Sequence, residues 1–193
     1  LPAEIVLHPS WWHDREGIVF DEDFYFDPRK RVEAERHMER ALAERWGEFG
    51  LGEHRDEQRP EVGPVHLAAG HILSAMLGCE LTFAPDSSPA VQCAESRTLA
   101  IDAEAPFQTP IFKRFLSLLE ALHGTYGRLC GDVNWSGVLN LALDLRGQAL
   151  FLDLFDQPQG VARCFQSIAA VVERFTDLVL RQTGSSSVSV NRT

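Results

Sequence analysis

Arg128 to Gly147 reads R-L-C-G-D-V-N-W-S-G-V-L-N-L-A-L-D-L-R-G, and the reading of the whole chain turns on it. Leu129 and Cys130 read as the end of a buried strand, which Gly131 breaks. Three side chains able to recognise a ligand follow: Asp132, Asn134 and Trp135. Beyond Gly137, Val138 to Leu143 supplies the apolar start of a packed helix. A strand that ends in Gly and polar residues and hands over to a helix is how α/β enzymes place side chains at the carboxyl edge of a parallel sheet. Asp132 and Asn134 also have a purely structural reading, as caps of the helix that follows.

Downstream, Ala149 to Phe155 is a second apolar segment, and Asp156 precedes Pro158 in the first turn of the longest predicted helix. Val161, Phe165, Ile168, Val172, Phe175 and Val179 recur there at i+3 and i+4, and Gly184 ends it. Ser186 to Val190 alternates as a strand and delivers Asn191 and Arg192 to its carboxyl end.

Upstream, Thr109–Pro110 opens a helix with Phe112, Phe115, Leu116, Leu119 and Leu122 on its apolar face. Cys79 to Phe83 alternates as a strand, and a turn at Pro85–Pro89 separates it from the run Ala90–Cys93. Val62 to Val65 reads as a short strand, and His66 to Leu77 as a loop and a helix of small residues ended by Gly78. His66 and His71 are five apart, which does not put them on one helical face, so a metal pair is not expected. His71 is instead a candidate for substrate binding. Asp27–Pro28 starts an earlier helix, with Ala34, Met38, Leu42 and Trp46 as its core stripe and the Arg and Glu between them as a solvated face. Gly47, Gly50 and Gly52 end it, and residues 53–61 form a polar loop.

The chain opens with a short strand at Ile5–Leu7, then H-P-S-W-W-H-D-R-E-G at residues 8–17. Aromatics beside His, Asp and Arg line pockets, which makes His13 and Asp14 catalytic candidates and Trp12 and Arg15 binding candidates. The alternative is an entrance loop whose tryptophans plug one end of the core. Phe20 to Phe26 mixes acids and aromatics and reads as irregular.

With 193 residues, 45% of them hydrophobic, the chain can bury one sizeable core. A formal net charge of -10 argues against a nucleic-acid or anionic-membrane surface. Cys79, Cys93, Cys130 and Cys164 lie far apart in apolar contexts, so they read as buried, reduced thiols of a cytoplasmic protein. No apolar run approaches the roughly 20 residues of a membrane span. The chain begins at Leu1 without Met and stops at Thr193 directly after an apparent strand. Both ends suggest a processed or truncated polypeptide, or one piece of a split protein.

Helices and short strands alternate, the pattern of parallel βα units. The expected fold class is therefore α/β. Residues 1–193 form one domain of (β/α)8 TIM-barrel type, with only the N-terminal half or slightly more present. A parallel sheet cannot leave the last strand's edge bare without exposing backbone groups and apolar side chains. A homo-oligomer, or a second chain completing the barrel, is therefore expected.

From Gly131 to Asn191 the chain resembles the uroporphyrinogen decarboxylase superfamily of (β/α)8 barrels. The resemblance rests on the Gly-rich strand end at Gly131–Gly147, the segment Leu152–Pro158, and the long helix from Val161 to Gly184. Upstream, Gly78-Cys79-Glu80-Leu81-Thr82-Phe83 is similar to the family's G-x-[DE]-V-x-F strand, and Pro9 to Gly17 to its P-x-W-x-M-R-Q-A-G-R opening.

The departures shape the chemistry that the resemblance implies. The two arginines that hold the decarboxylase's substrate carboxylates fall on Asp14 and Ile18. Its aspartate under the pyrrole nitrogens falls around Ala69, and its tyrosine near Ala142 or Leu143. Neither an acid nor an apolar residue replaces a guanidinium that binds carboxylate. The other large branch moves a methyl group between a corrinoid and a thiol or other acceptor, with zinc held by His and Cys of the second half of the barrel. The resemblance therefore implies a methyltransferase with a possible corrinoid, and zinc only through that second half. The alternatives are a lyase acting on an acidic or tetrapyrrole substrate, and a non-catalytic scaffold. The site is expected where Asp132, His13, Asp14, Asn134, Trp135 and Arg192 gather at strand ends, with Asn191 a further binding candidate.

Overall fold

A parallel strand pair is the feature that ties the two ends of the central segment together. In the computed structural model, which describes residues 7–52, 70–127, 129, 133–134, 137–183 and 188–189, the elements in chain order are α1 (Pro9–Glu16), α2 (Glu22–Phe26), α3 (Pro28–Trp46), α4 (Gly70–Met76), β1 (Glu80–Thr82), β2 (Ala90–Gln92), α5 (Pro110–Tyr126), β3 (Val133–Asn134), α6 (Val138–Arg146), α7 (Ala149–Asp156), α8 (Pro158–Thr183) and β4 (Val188–Ser189). β3 pairs in parallel with β4, Val133 opposite Val188 and Asn134 opposite Ser189. Three helices cross over between them, so this part of the chain is a βα-type unit. The described residues are otherwise mostly helical. Of the predicted strand at 128–132 only Leu129 is among the described residues, and the described pairing lies at Val133–Asn134.

Residues 79–83 and 90–93 behave differently from the parallel expectation. β1 and β2 pair antiparallel, with Glu80 opposite Gln92, Leu81 opposite Val91 and Thr82 opposite Ala90. The connection of seven residues, 83–89, is too short for a crossover and returns the chain as a hairpin.

Two predicted irregular stretches are helical. In α1 the His8 imidazole accepts the Ser10 amide at 3.2 Å, Pro9 opens the first turn, and Gly17 closes it in the left-handed region at φ 69°. In α2 the Asp21 carboxylate caps the Phe24 amide at 3.0 Å, and the short helix buries Phe24, Tyr25 and Phe26. Other starts are as expected from sequence: Asp27 accepts from the Lys30 amide at 2.7 Å, and Thr109 from the Phe112 amide at 3.4 Å. Leu7 lies in no strand, and the predicted strand at 62–65, with residues 5 and 6, falls outside the described residues.

The core is built mainly by α5 and α8. Phe115 and Phe175 meet at 5.3 Å between ring centroids, surrounded by Leu119, Leu122, Ile168 and Val171. Each such side chain taken from water contributes about 1.5–3 kcal/mol. Cys164 and Val171 join the predicted stripe of α8, while Phe165 is only partly buried. On α7 the opposite holds: Leu150 and Asp153 face inward, and Phe151, Leu152, Leu154 and Phe155 face out. No helix among the described residues is long and apolar enough to cross a membrane.

Candidate functional site

Three helices place polar groups in one buried node. α2 contributes Tyr25, α3 contributes Arg31 and Glu35, and α4 contributes His71. Arg31 is 1% exposed, a burial that a guanidinium tolerates only when paired. Its Nε donates to Glu35 Oε1 at 2.7 Å, and its charge lies over the Phe24 ring at 4.6 Å. The His71 ring stands edge-on to Tyr25 at 5.2 Å. Burial, and then the charge of Arg31, push the His71 imidazole down to about 3, so it is neutral at every physiological pH. Its Nε2 is buried with no hydrogen-bond partner among the described residues. Such an orphan costs about 1–3 kcal/mol, which a ligand or water able to bond it would recover. Burial likewise raises the Tyr25 phenol, which stays protonated.

The other predicted residues are spread around this node. On α1, His13 Nδ1 and Asp14 Oδ1 stand 3.4 Å apart near the surface, and Arg15 is exposed. Trp12 is 3% exposed and packs edge-on against Trp11 at 4.9 Å. Trp11 in turn stacks on Trp46 of α3 at 5.6 Å. The tryptophans therefore fasten α1 to α3, and Trp12 plugs the core instead of lining an open pocket. Glu16 anchors the same helix, accepting from Arg45 Nε at 3.1 Å and meeting His37 Nε2 at 3.2 Å. The bond from Arg45 holds its carboxyl below the usual range.

Asn134 is the last described residue of β3, opposite Ser189, so the carboxyl ends of β3 and β4 lie side by side. Asp132, Trp135, Asn191 and Arg192 lie outside the described residues. The N-cap position of α6 belongs to Gly137, not to Asp132 or Asn134. The capping alternative for those two residues therefore does not apply at that position.

A separate cleft of about 510 Å³ lies between the end of α4 and the 94–102 segment, with Ser96, Thr98, Arg146 and Cys164 among its walls. None of the described candidates His13, Asp14, Trp12, Arg15 and His71 lines it. Cys79 and Cys164 are buried as expected, but Cys93 is exposed. Among the described residues, no three His, Cys, Asp or Glu side chains stand together as a metal site.

The sequence reading passed over Arg31 and took Glu35 as part of a solvated face. Arg31, Glu35, Met38 and Leu42 recur at i, i+4, i+7 and i+11, so their common face was present in the spacing. Tyr25 was hidden by the missed helix α2.

No family model matches the chain, and no curated protein matches it. Its fold is similar to that of a methyltransferase from Methanosarcina mazei, with a TM-score of 0.62 at 13% sequence identity. The match covers 94% of this chain and 50% of that one, so the chain spans half the length of that structure. At this identity the likeness establishes a shared fold.

Proposed function

We propose that this chain forms half of a (β/α)8 barrel of the uroporphyrinogen decarboxylase kind. In this reading it is a methyltransferase that moves a methyl group between a corrinoid and a thiol or other acceptor. The observation that carries the reading is the register of β3 and β4. It brings Asn134 and Ser189 together at the carboxyl edge of a parallel pair, where barrel enzymes hold their chemistry. The fold shared with a methyltransferase supports the same class.

A methylcorrinoid would supply a methyl carbon for thiolate attack, the electron pair of the cobalt–carbon bond remaining on cobalt. The chain's own part is binding and proton control. Asp132 is the proposed general base for the acceptor thiol, with His13 and Asp14 as further catalytic candidates. Asn134, Trp135, Asn191 and Arg192 orient the substrate, and His71 offers a neutral nitrogen to it. The 510 Å³ cleft suits a drug-sized molecule and not a corrinoid, so no step is placed there. With no metal cluster among the described residues, no step is routed through zinc. The proposed partner is the other half of the barrel. The outward apolar residues of α7, with Phe155 86% and Leu152 68% exposed, support such a covering surface.

Titration with methylcobalamin, followed by tryptophan fluorescence and by absorbance in the presence of a low-molecular-weight thiol, tests the reading. Saturable quenching with protein-dependent demethylation and a matching methyl thioether is expected. Linear quenching together with a demethylation rate equal to that without protein would reject it.

A further inference from the structure

The β1–β2 hairpin carries two cysteines that the reading above does not use. The register pairs Glu80 with Gln92, the last pair at that end, and Cys79 and Cys93 are the next residues outward, one on each side. Residues directly opposite in an antiparallel pair project from the same face. The Cys79 amide donates to Ser74 O at 3.0 Å and not across to Cys93. The position therefore has the character of a non-hydrogen-bonded pair, whose Cα atoms approach to about 4.5 Å. A disulfide spans Cα separations of roughly 4.4–6.8 Å.

The thiols themselves point to one place. Cys79 Sγ donates to Asp144 O at 3.4 Å, and Cys93 Sγ donates to Leu143 O at 3.7 Å, consecutive carbonyls on the last turns of α6. Gly147 makes room for this approach, since a Cβ there would stand 3.1 Å from Cys93 Sγ. The Glu95 amide donates to the same sulfur at 3.4 Å. Glu95 holds a positive φ of 48°, alone among the described non-glycine residues, and this turn aims its N–H at the sulfur. The two thiols differ in access: Cys93 is exposed and Cys79 is buried.

We propose that Cys79 and Cys93 are a reversible oxidation site, closing to a cross-strand disulfide through exchange with a low-molecular-weight disulfide such as oxidised glutathione. The exposed Cys93 thiolate attacks one sulfur of the oxidant, the oxidant's S–S bond breaks, and one glutathione thiolate leaves. The Cys79 thiolate then attacks Cys93 Sγ in the mixed disulfide and expels the second glutathione. Two protein thiols are oxidised, one small disulfide is reduced to two thiols, and the two protein-thiol protons pass to the departing thiolates. Burial and the Asp144 carboxylate push the Cys79 thiol up to about 11, which lowers the thiolate fraction open to this second step. Closure also removes both thiol bonds to α6, beside the 510 Å³ cleft that Leu145, Arg146 and Ala94 help to line. Disulfides in reducing compartments are transient and redox-sensing, the kind this asymmetry suits.

The native protein is incubated with oxidised glutathione, quenched with a maleimide and mapped by mass spectrometry. Wild type is expected to lose two hydrogens and to yield a linked peptide joining residues 79 and 93, reversed by dithiothreitol. Cys79→Ser is expected to stop at a glutathione adduct on Cys93. Cys93→Ser is expected to leave Cys79 unmodified, and Cys164→Ser to behave as wild type. Circular dichroism of each variant, matched to wild type, assigns these outcomes to the thiols and not to unfolding. Wild type that retains both free thiols, that stops at the adduct, or that links either cysteine to Cys130 or Cys164 would overturn the proposal.

Discussion

Arg146 and Asp153 grip each other through two bonds, Nε to Oδ2 at 2.6 Å and Nη2 to Oδ1 at 3.2 Å. The same guanidinium donates Nη1 to Ser96 O at 2.6 Å. One side chain thus joins the end of α6, the middle of α7 and the loop after β2. Because Asp153 is 5% exposed, this pair holds α7 with its aspartate inward and its phenylalanines outward. The bond from Arg146 keeps the Asp153 carboxyl below its ordinary value of 3.8. A depressed carboxyl stabilises the fold above that ordinary value, and the contribution is lost as pH falls through the folded value. Asp153→Asn is therefore expected to lower the melting temperature at neutral pH, and the gap from wild type to narrow below 3.8. Arg146→Lys should also destabilise, since an ammonium cannot reproduce the fork. Thermal melts of the three proteins across pH check both statements.

His71 makes the opposite kind of acid test. Its imidazole titrates at about 3 in the fold and near 6.5 when unfolded. Between those values the unfolded chain holds one proton more than the native one. Stability should therefore fall with falling pH from 6.5 towards 3, by up to about 1.4 kcal/mol per unit from this group. His71→Phe keeps a ring beside Tyr25 and removes the proton site. It should flatten that slope and, by deleting an unsatisfied nitrogen, stay within about 1 kcal/mol of wild type at neutral pH. Urea unfolding at a series of pH values decides the matter: an unchanged slope in the variant would count against a buried neutral imidazole.

The residues show why some of this architecture was legible in the sequence and some was not. α8 was readable because Pro158 fixes its start and the apolar side chains from Val161 to Val179 keep one phase. α3 was readable at its cap, Asp27–Pro28, but its buried Arg31 was not, since a charged residue carries no apolar signal even on the inward face. α1 was missed because its N-cap is a histidine, outside the usual capping set, and its tryptophans are adjacent instead of periodic. The antiparallel hairpin was missed although both strands and their turn were recognised. Only pairing distinguishes a hairpin from two βα units, and pairing is a long-range property. Among the candidate residues, His71 was singled out by residue type alone. The burial that makes it neutral depends on Tyr25 and Arg31, which come from elsewhere in the chain.

Phe115 and Phe155 separate core from surface. Phe115 is fully buried against Phe175, whereas Phe155 is 86% exposed on α7. Phe115→Ala removes a ring and leaves a cavity, which should cost about 3–5 kcal/mol. Phe155→Ser alters no core contact and should change the stability of the isolated chain by at most about 0.5 kcal/mol. Chemical denaturation measures both. Equal costs would mean that α7's outer face is packed within the chain itself.

Asp132 offers the most direct test of the proposed chemistry. It lies two residues before Asn134, the residue that β3 sets opposite Ser189. Asn has nearly the shape of Asp, so Asp132→Asn is expected to leave the fold intact. A general base is different, because an amide cannot take up a proton at neutral pH. General acid–base groups contribute about 100- to 10,000-fold to rate. Asp132→Asn is therefore expected to lower methyl transfer by at least about 100-fold while the affinity for methylcobalamin changes little. Raising the pH so that the acceptor thiol ionises unaided should recover part of the lost rate, a response that a misfolded variant would not give. Turnover equal to wild type at neutral pH would remove Asp132 from the catalytic assignment.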